Sequence, residues 1–187
     1  IGILLALQVN NWNNQWQTKK SEQMALAQLK EEVEANYDQF LYIQNIHQKI
    51  LDAADLLLAY IESPNSLHIP SDSLKSAVGW VAGPSATYNP SGGIVNSLIS
   101  SGNIEIIKND SLRTLLIQWQ DLVLDYQEEE LELDELVDNH LRPLLLSKIE
   151  LDYKGEVLSG IARQSLREST EIKNLLVLVS QYRWGVL

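Results

Sequence analysis

The chain has 187 residues, 45% of them hydrophobic, and sets 14 lysines and arginines against 25 aspartates and glutamates, a formal net charge of −11. That size and apolar content suit one folded domain with a core, and nine glycines and five prolines are too few for a many-turned β-sandwich. The acidic balance leaves no basic stripe for phosphates, which argues against nucleic acid as a partner, and the absence of cysteine excludes disulfides, thiolate metal sites and a cysteine nucleophile.

The first element is IGILLALQVNNWNNQW, residues 1–16, which starts without methionine inside an apolar run. Seven helical residues span roughly 10 Å, about a third of a bilayer's hydrocarbon core. Taken alone, the run reads either as two turns of a buried core helix or as the end of a membrane span. Trp12 and Trp16 lie one turn apart, amid Asn10, Asn11, Asn13 and Asn14, and Lys19 and Lys20 follow. Apolar run, amphipathic tryptophans, amides and then lysines is the order of groups met on leaving a bilayer.

These residues resemble the end of the transmembrane segment in an uncharacterised family of single-pass membrane proteins from Bacteroidota. The resemblance continues weakly through SLISSGNIEIIKNDSLRTLL (residues 97–116) and IKNLLVLVSQYR (residues 172–183). It implies a basic cytoplasmic tail and the first half of a membrane helix upstream, a helical domain facing the periplasm, and a last helix continuing past Leu187. It implies no activity. Ile1, Ile3, Leu4, Leu5, Leu7, Trp12 and Trp16 are the expected anchor and interface residues, within a segment 1–20 that precedes a domain of residues 21–187.

From residue 21 to 61 an uninterrupted stripe recurs at three- and four-residue steps: Leu26, Leu29, Val33, Tyr37, Phe40, Ile43, Ile46, Ile50, Ala54, Leu57 and Ile61. Roughly forty residues make about 60 Å of helix, and the helix can run on unbroken from the anchor. Pro64 ends it. A short helix follows over residues 72–81, capped by Ser71 or Asp72 and stopped at Gly83 and Pro84. Ser91 is placed to cap another, which stops at Gly102; residues 103–107 suit either an extended stretch or one turn.

Asn109 or Asp110 caps a second long helix to about residue 141, with Leu112, Leu115, Trp119, Leu122, Tyr126, Leu133, Val137 and Leu144 on its stripe; Pro143 is expected to kink or end it. Residues 150–160 read as a connection, and a last helix starts near Glu168. Its LLVLV run, between Lys173 and Arg183, is too short to span a bilayer and reads as core. The expected fold is all-α: an elongated bundle of two long antiparallel helices, short connecting helices and a C-terminal helix, following the end of an N-terminal transmembrane helix.

Chemistry-bearing patterns are sparse. His47, His68 and His140 lie outside any Glu-x-x-His or His-Glu-x-x-His spacing, and no nucleophile or phosphate-loop motif occurs. The acidic run of residues 128–138 has leucines at helical spacing, so it reads as a solvated helix face rather than a calcium loop. Continuing the stripe from Tyr126 passes Glu130 and later His140, which implies either an opening of the bundle or a polar pocket. The loop GWVAGPSATYNPSGG gathers Trp80, Tyr88, Asn89, Ser91, Gly92 and Gly93 as ligand-loop candidates, the glycines leaving helix N–H groups open to an anion; an ordinary loop with its aromatics on the core is the alternative. The expected protein is therefore a non-catalytic, membrane-anchored scaffold or interaction module of the bacterial inner membrane. It uses no cofactor or metal and takes an envelope protein, or a further copy of itself, as partner. A ligand-sensing periplasmic bundle and, more weakly, a metal enzyme using Glu130 and His140 are the alternatives.

Overall fold

A computed structural model describes residues 2–63, 69–83, 86–149 and 160–182, with Gly160 and Ile161 described by their backbone alone. Among these residues the chain is helical throughout and contains no strand. It forms α1 (Gly2–Glu62), α2 (Ser71–Ala82), α3 (Gly93–Ser100), a 3₁₀ turn (Asn103–Ile106), α4 (Asp110–Leu136), a π-turn (Val137–Leu141), α5 (Arg142–Lys148), α6 (Gly160–Glu168) and α7 (Thr170–Gln181). Two compact units result, one of residues up to Phe40 with Asn89–Leu124, the other of Leu41–Tyr88 with the residues from Asp125 onward.

α1 begins at the N-terminal apolar run and continues as one helix, as its freedom from proline and internal glycine allows. In the first unit its buried apolar residues are Ala25 and Leu29, which form a small core with Val95 of α3, Ile107 and Leu116 of α4. α3 closes on Gly102, whose φ of 71° is left-handed and sterically cheap only without a Cβ. Beyond the 3₁₀ turn Asn109 caps α4, accepting from the Leu112 N–H at 3.0 Å.

The second unit holds the larger core. Ala54, Leu57 and Tyr60 of α1 pack there with Leu74 and Val81 of α2, Leu141 and Leu145 around Pro143, and Ile172, Leu176 and Val179 of α7. The LLVLV run is thus core, as its length required. Ser169 caps α7 by accepting from the Ile172 N–H at 3.3 Å.

Several expectations are corrected. Val33 and Tyr37 are 51% and 59% exposed, and Leu115 and Leu122 of α4 face outward too. The true inward line of α1 passes through Ala25, Leu29, Glu32 and Asn36, with Asn36 buried. That line sits one residue out of step with the apolar pattern because two polar residues occupy it. At Pro143 the second helix is interrupted near His140, as expected, and is not brought to a halt. The proline lacks an N–H and clashes with the carbonyl four residues back; the π-turn at Val137–Leu141 relieves both, and α5 follows directly. Leu145, not Leu144, is then the fully buried residue. No side chain caps α2, which starts after Pro70.

The two long helices are also not antiparallel. In the first unit Glu22 meets the Lys108 N–H just before α4 begins, and Leu29, further along α1, shares a core with Leu116, further along α4. In the second, His47 meets Tyr126 and Glu130. Within the first unit the two helices therefore run in the same direction, as helices joined by a long crossover connection do in other bundles. α6 lies between the expected connection of residues 150–160 and the last helix expected from near Glu168, and only Ala162 and Leu166 mark its buried face. The rest of that connection, residues 150–159, and the course of the chain past Tyr182 lie outside the described residues.

Candidate functional site

The second unit buries two ionisable side chains together: Glu130 is 3% exposed and His47 5%. α4 brings Glu130 inward because residues 116, 123, 130 and 137 share one heptad line, whose neighbour Val137 is core. Both carboxylate oxygens accept from the Tyr88 N–H, at 3.2 and 3.0 Å, and the Tyr126 hydroxyl is hydrogen-bonded to the same carboxylate. His47 Nε2 lies 2.9 Å from the Ala86 carbonyl oxygen. An oxygen there only accepts, so Nε2 carries the proton and Nδ1 faces the Tyr126 hydroxyl at 3.5 Å. Gln127 donates to the Tyr88 carbonyl at 2.8 Å. Three side chains thus satisfy the backbone of residues 86–88, which no helix or strand would satisfy.

Burial sets the charge of this group. Desolvation pushes Glu130 up to about 7, reinforced by nearby Asp134 and opposed by the Tyr88 N–H and Tyr126 hydrogen bonds. It lowers His47 below its ordinary 6.5, against the Ala86 hydrogen bond and Asp134. Tyr126 rises to about 12 through burial and the adjoining Glu130. His47 Nε2 and Glu130 Oε1 stand 3.7 Å apart, and with these shifts the pair is largely a neutral imidazole beside a carboxyl that shares its proton near neutrality. The cavity at Glu130, His47, Asp134 and Arg142 measures about 20 Å³, room for one water and no substrate. Arg142 closes it from α5, bonding Asp138 at 2.7 Å and the Ala82 and Gly83 carbonyls at 2.6 Å each.

The first unit repeats the device with other chemistry. Asn36 donates to the Ser91 carbonyl at 2.7 Å and accepts from the Ser91 N–H at 2.8 Å. Glu32 accepts from the Ile94 N–H at 2.9 Å, so the start of α3, expected to stand open to an anion, already holds a carboxylate of its own chain. Ser91 is not the N-cap expected of it. Gly92 holds that position, and the Ser91 hydroxyl stands 3.5 Å from the Gly93 N–H.

The ligand-loop candidates divide between the units. Trp80 and Tyr88 belong to the second, Trp80 39% exposed with Lys49 5.1 Å from its ring centroid and Tyr88 buried. Asn89, Ser91, Gly92 and Gly93 belong to the first. His140 is exposed on the π-turn, away from the buried His47–Glu130 pair, and among the described residues no three His, Asp or Glu side chains are arranged to hold a metal. Glu130 and His140 therefore do not assemble. His68 and Ile1 lie outside the described residues. Ile3, Leu4, Leu5, Leu7, Trp12 and Trp16 are 54–79% exposed.

Glu32, Asn36, His47 and Gln127 were missed as a set. Asn36 was legible, since it stands seven residues from both Leu29 and Ile43. Compared with protein-family models, curated proteins and solved structures, the chain matches none.

Proposed function

We propose that this chain is a non-catalytic, membrane-anchored helical module that docks another protein of the bacterial envelope. The observation that carries the reading is the state of residues 2–21: all are helical, all are exposed, and they run unbroken into the packed part of α1. An apolar helix end showing Ile3 at 79% and Trp12 at 71% exposure is left uncovered among the described residues, which supports a bilayer or a partner as its cover. No helix among the described residues is long and apolar enough to cross a membrane, and the proposal places the remainder of the span upstream. The order of apolar run, tryptophans and lysines, with the family resemblance, supports an inner-membrane anchor and a periplasmic domain.

Expressed from its whole reading frame, the protein should pellet with membranes, resist carbonate extraction, and become protease-sensitive once the outer membrane is opened. A protein recovered in the soluble fraction would overturn the anchor. A domain protected until the inner membrane is lysed would overturn the periplasmic orientation.

A further inference from the structure

One end of the first unit differs electrically from the rest. No acidic residue precedes Glu22 in the chain, and Lys19 and Lys20 stand exposed just before it. Glu22 accepts from the Lys108 N–H at 2.8 Å, which brings the start of α4 beside this part of α1. The carboxylates gathered there are already engaged: Glu22 with that N–H, Asp110 with Arg113 at 2.6 Å, and Glu105 at 3.8 Å from the same guanidinium. Among the described residues the amines of Lys19, Lys20 and Lys108 have no carboxylate partner. Lys108 spends one N–H on the Glu105 carbonyl at 3.2 Å and keeps two. Lys20 reaches back one helical turn, its Nζ 5.5 Å from the centroid of the Trp16 ring.

Distances along α1 set the level of this end. The helix is unbroken from Gly2 to Glu62, so Glu22 stands about 9 Å beyond Trp16 at 1.5 Å per residue. The headgroup layer of one leaflet is about 5–8 Å thick. Tryptophans at the edge of the hydrocarbon therefore place the first packed residues of the unit at the outer headgroups, with no spacer between. The other acids of the unit, Glu31, Glu32, Glu34, Asp38 and Asp121, begin about 13 Å further along the helices. A Debye length is about 10 Å at 0.1 M salt. A surface at the level of Glu22 is thus screened from them and meets the three amines.

We propose that this end of the first unit seats on a phospholipid surface, with the amines of Lys19, Lys20 and Lys108 on lipid phosphates. An acidic protein would also suit three amines, but a bilayer is continuous with the exposed apolar helix that leads into this end. The inference rests on the anchor proposed above. It adds that the folded unit itself touches the bilayer, through a lysine 86 residues from Glu22 in sequence.

The test is flotation of the chain with vesicles of phosphatidylcholine alone, or with ~30% phosphatidylglycerol added, in about 0.1 M salt. Binding to both reports the apolar helix. The anionic vesicles should bind about tenfold more tightly or better, since each amine at the surface contributes about fivefold, and about 0.5 M salt should erase most of that preference. Lys108→Gln keeps the backbone N–H that Glu22 holds, so the fold should persist. It should cost about fivefold on anionic vesicles and nothing on neutral ones. Lys30→Gln, about 12 Å further along α1 than Glu22, should cost less than about twofold. Equal binding to the two vesicles, a preference untouched by Lys108→Gln, or an equal loss with Lys30→Gln would each overturn the seat and leave the anchor standing. Binding to neither vesicle would overturn both.

Discussion

In the first unit the backbone of Ser91 is held by a neutral amide beside a small core; in the second, the backbone of Tyr88 is held by a carboxylate beside a large one. The same task, satisfying an extended stretch that packs on helices, is met with groups of different cost. Asn36 makes two hydrogen bonds and carries no charge, so burial asks only that both be kept. Glu130 is 97% covered by its surroundings and relieves the cost of charge by retaining a proton, with a neutral histidine at its side. The Asn36 amide has no proton to titrate; the Glu130 carboxyl has one.

The strongest way to break this comparison is to test whether the inward line of α1 is correctly placed. Ile50→Asp puts an unpaired charge into the larger core and should cost several kcal/mol, on the order of 3–5. Val33→Asp, on the same apolar pattern but 51% exposed, should change stability by no more than about 0.5 kcal/mol. Urea denaturation of the two variants decides it, and similar losses in both would mean the face of α1 is misassigned.

Proton linkage separates the two clasps next. Glu130 titrates near 7 in the fold against an ordinary 4.5, so the folded state keeps a proton that the unfolded chain has released. Its contribution is full below about 4.5 and is lost as pH rises through 7. His47 is lowered from 6.5, so its contribution is full above 6.5 and is lost as pH falls through its folded value. The two oppose each other in the intact protein. His47→Gln should leave stability falling with pH between 4.5 and 7, by at most about 1.4 kcal/mol per unit, the limit for one proton. Glu130→Gln should leave it rising toward 6.5. Slopes of one sign in both variants would dissolve the opposition.

A smaller effect sharpens the other side. Asn36→Leu strips the Ser91 backbone of both partners and should cost about 1–3 kcal/mol, with the same loss at pH 5 and pH 8. A loss that varied with pH would mean that the Asn36 clasp is coupled to the neighbouring carboxylate of Glu32.

The helices themselves were readable because length, caps and breakers act locally: Asn109 caps α4, Gly102 ends α3, and α7 starts within two residues of its expected place. The inward face of α1 was harder. Val33 and Tyr37 carry the apolar pattern, while burial belongs to Asn36, whose partner Ser91 is 55 residues away. Glu130 announced itself as a carboxylate on a core line, yet His47 could be joined to it only once the long connection had set α1 and α4 running the same way. The direction of those helices is a property of residues 63–109, and periodicity is silent about it.

The π-turn before Pro143 has one more consequence, in the phase of the helix it interrupts. A turn of π geometry takes up one residue more than an α turn, so everything after it is rotated by about 100° relative to an uninterrupted helix. Counting in plain α steps from Val137 and Leu141 would bring positions 144 and 148 inward, and position 148 is a lysine. With the extra residue, Leu145 and Ile149 are buried at 1% and 4%, and Lys148 stays in water. The proline that looks like an obstacle thus sets the rotation that keeps an ammonium group out of the core.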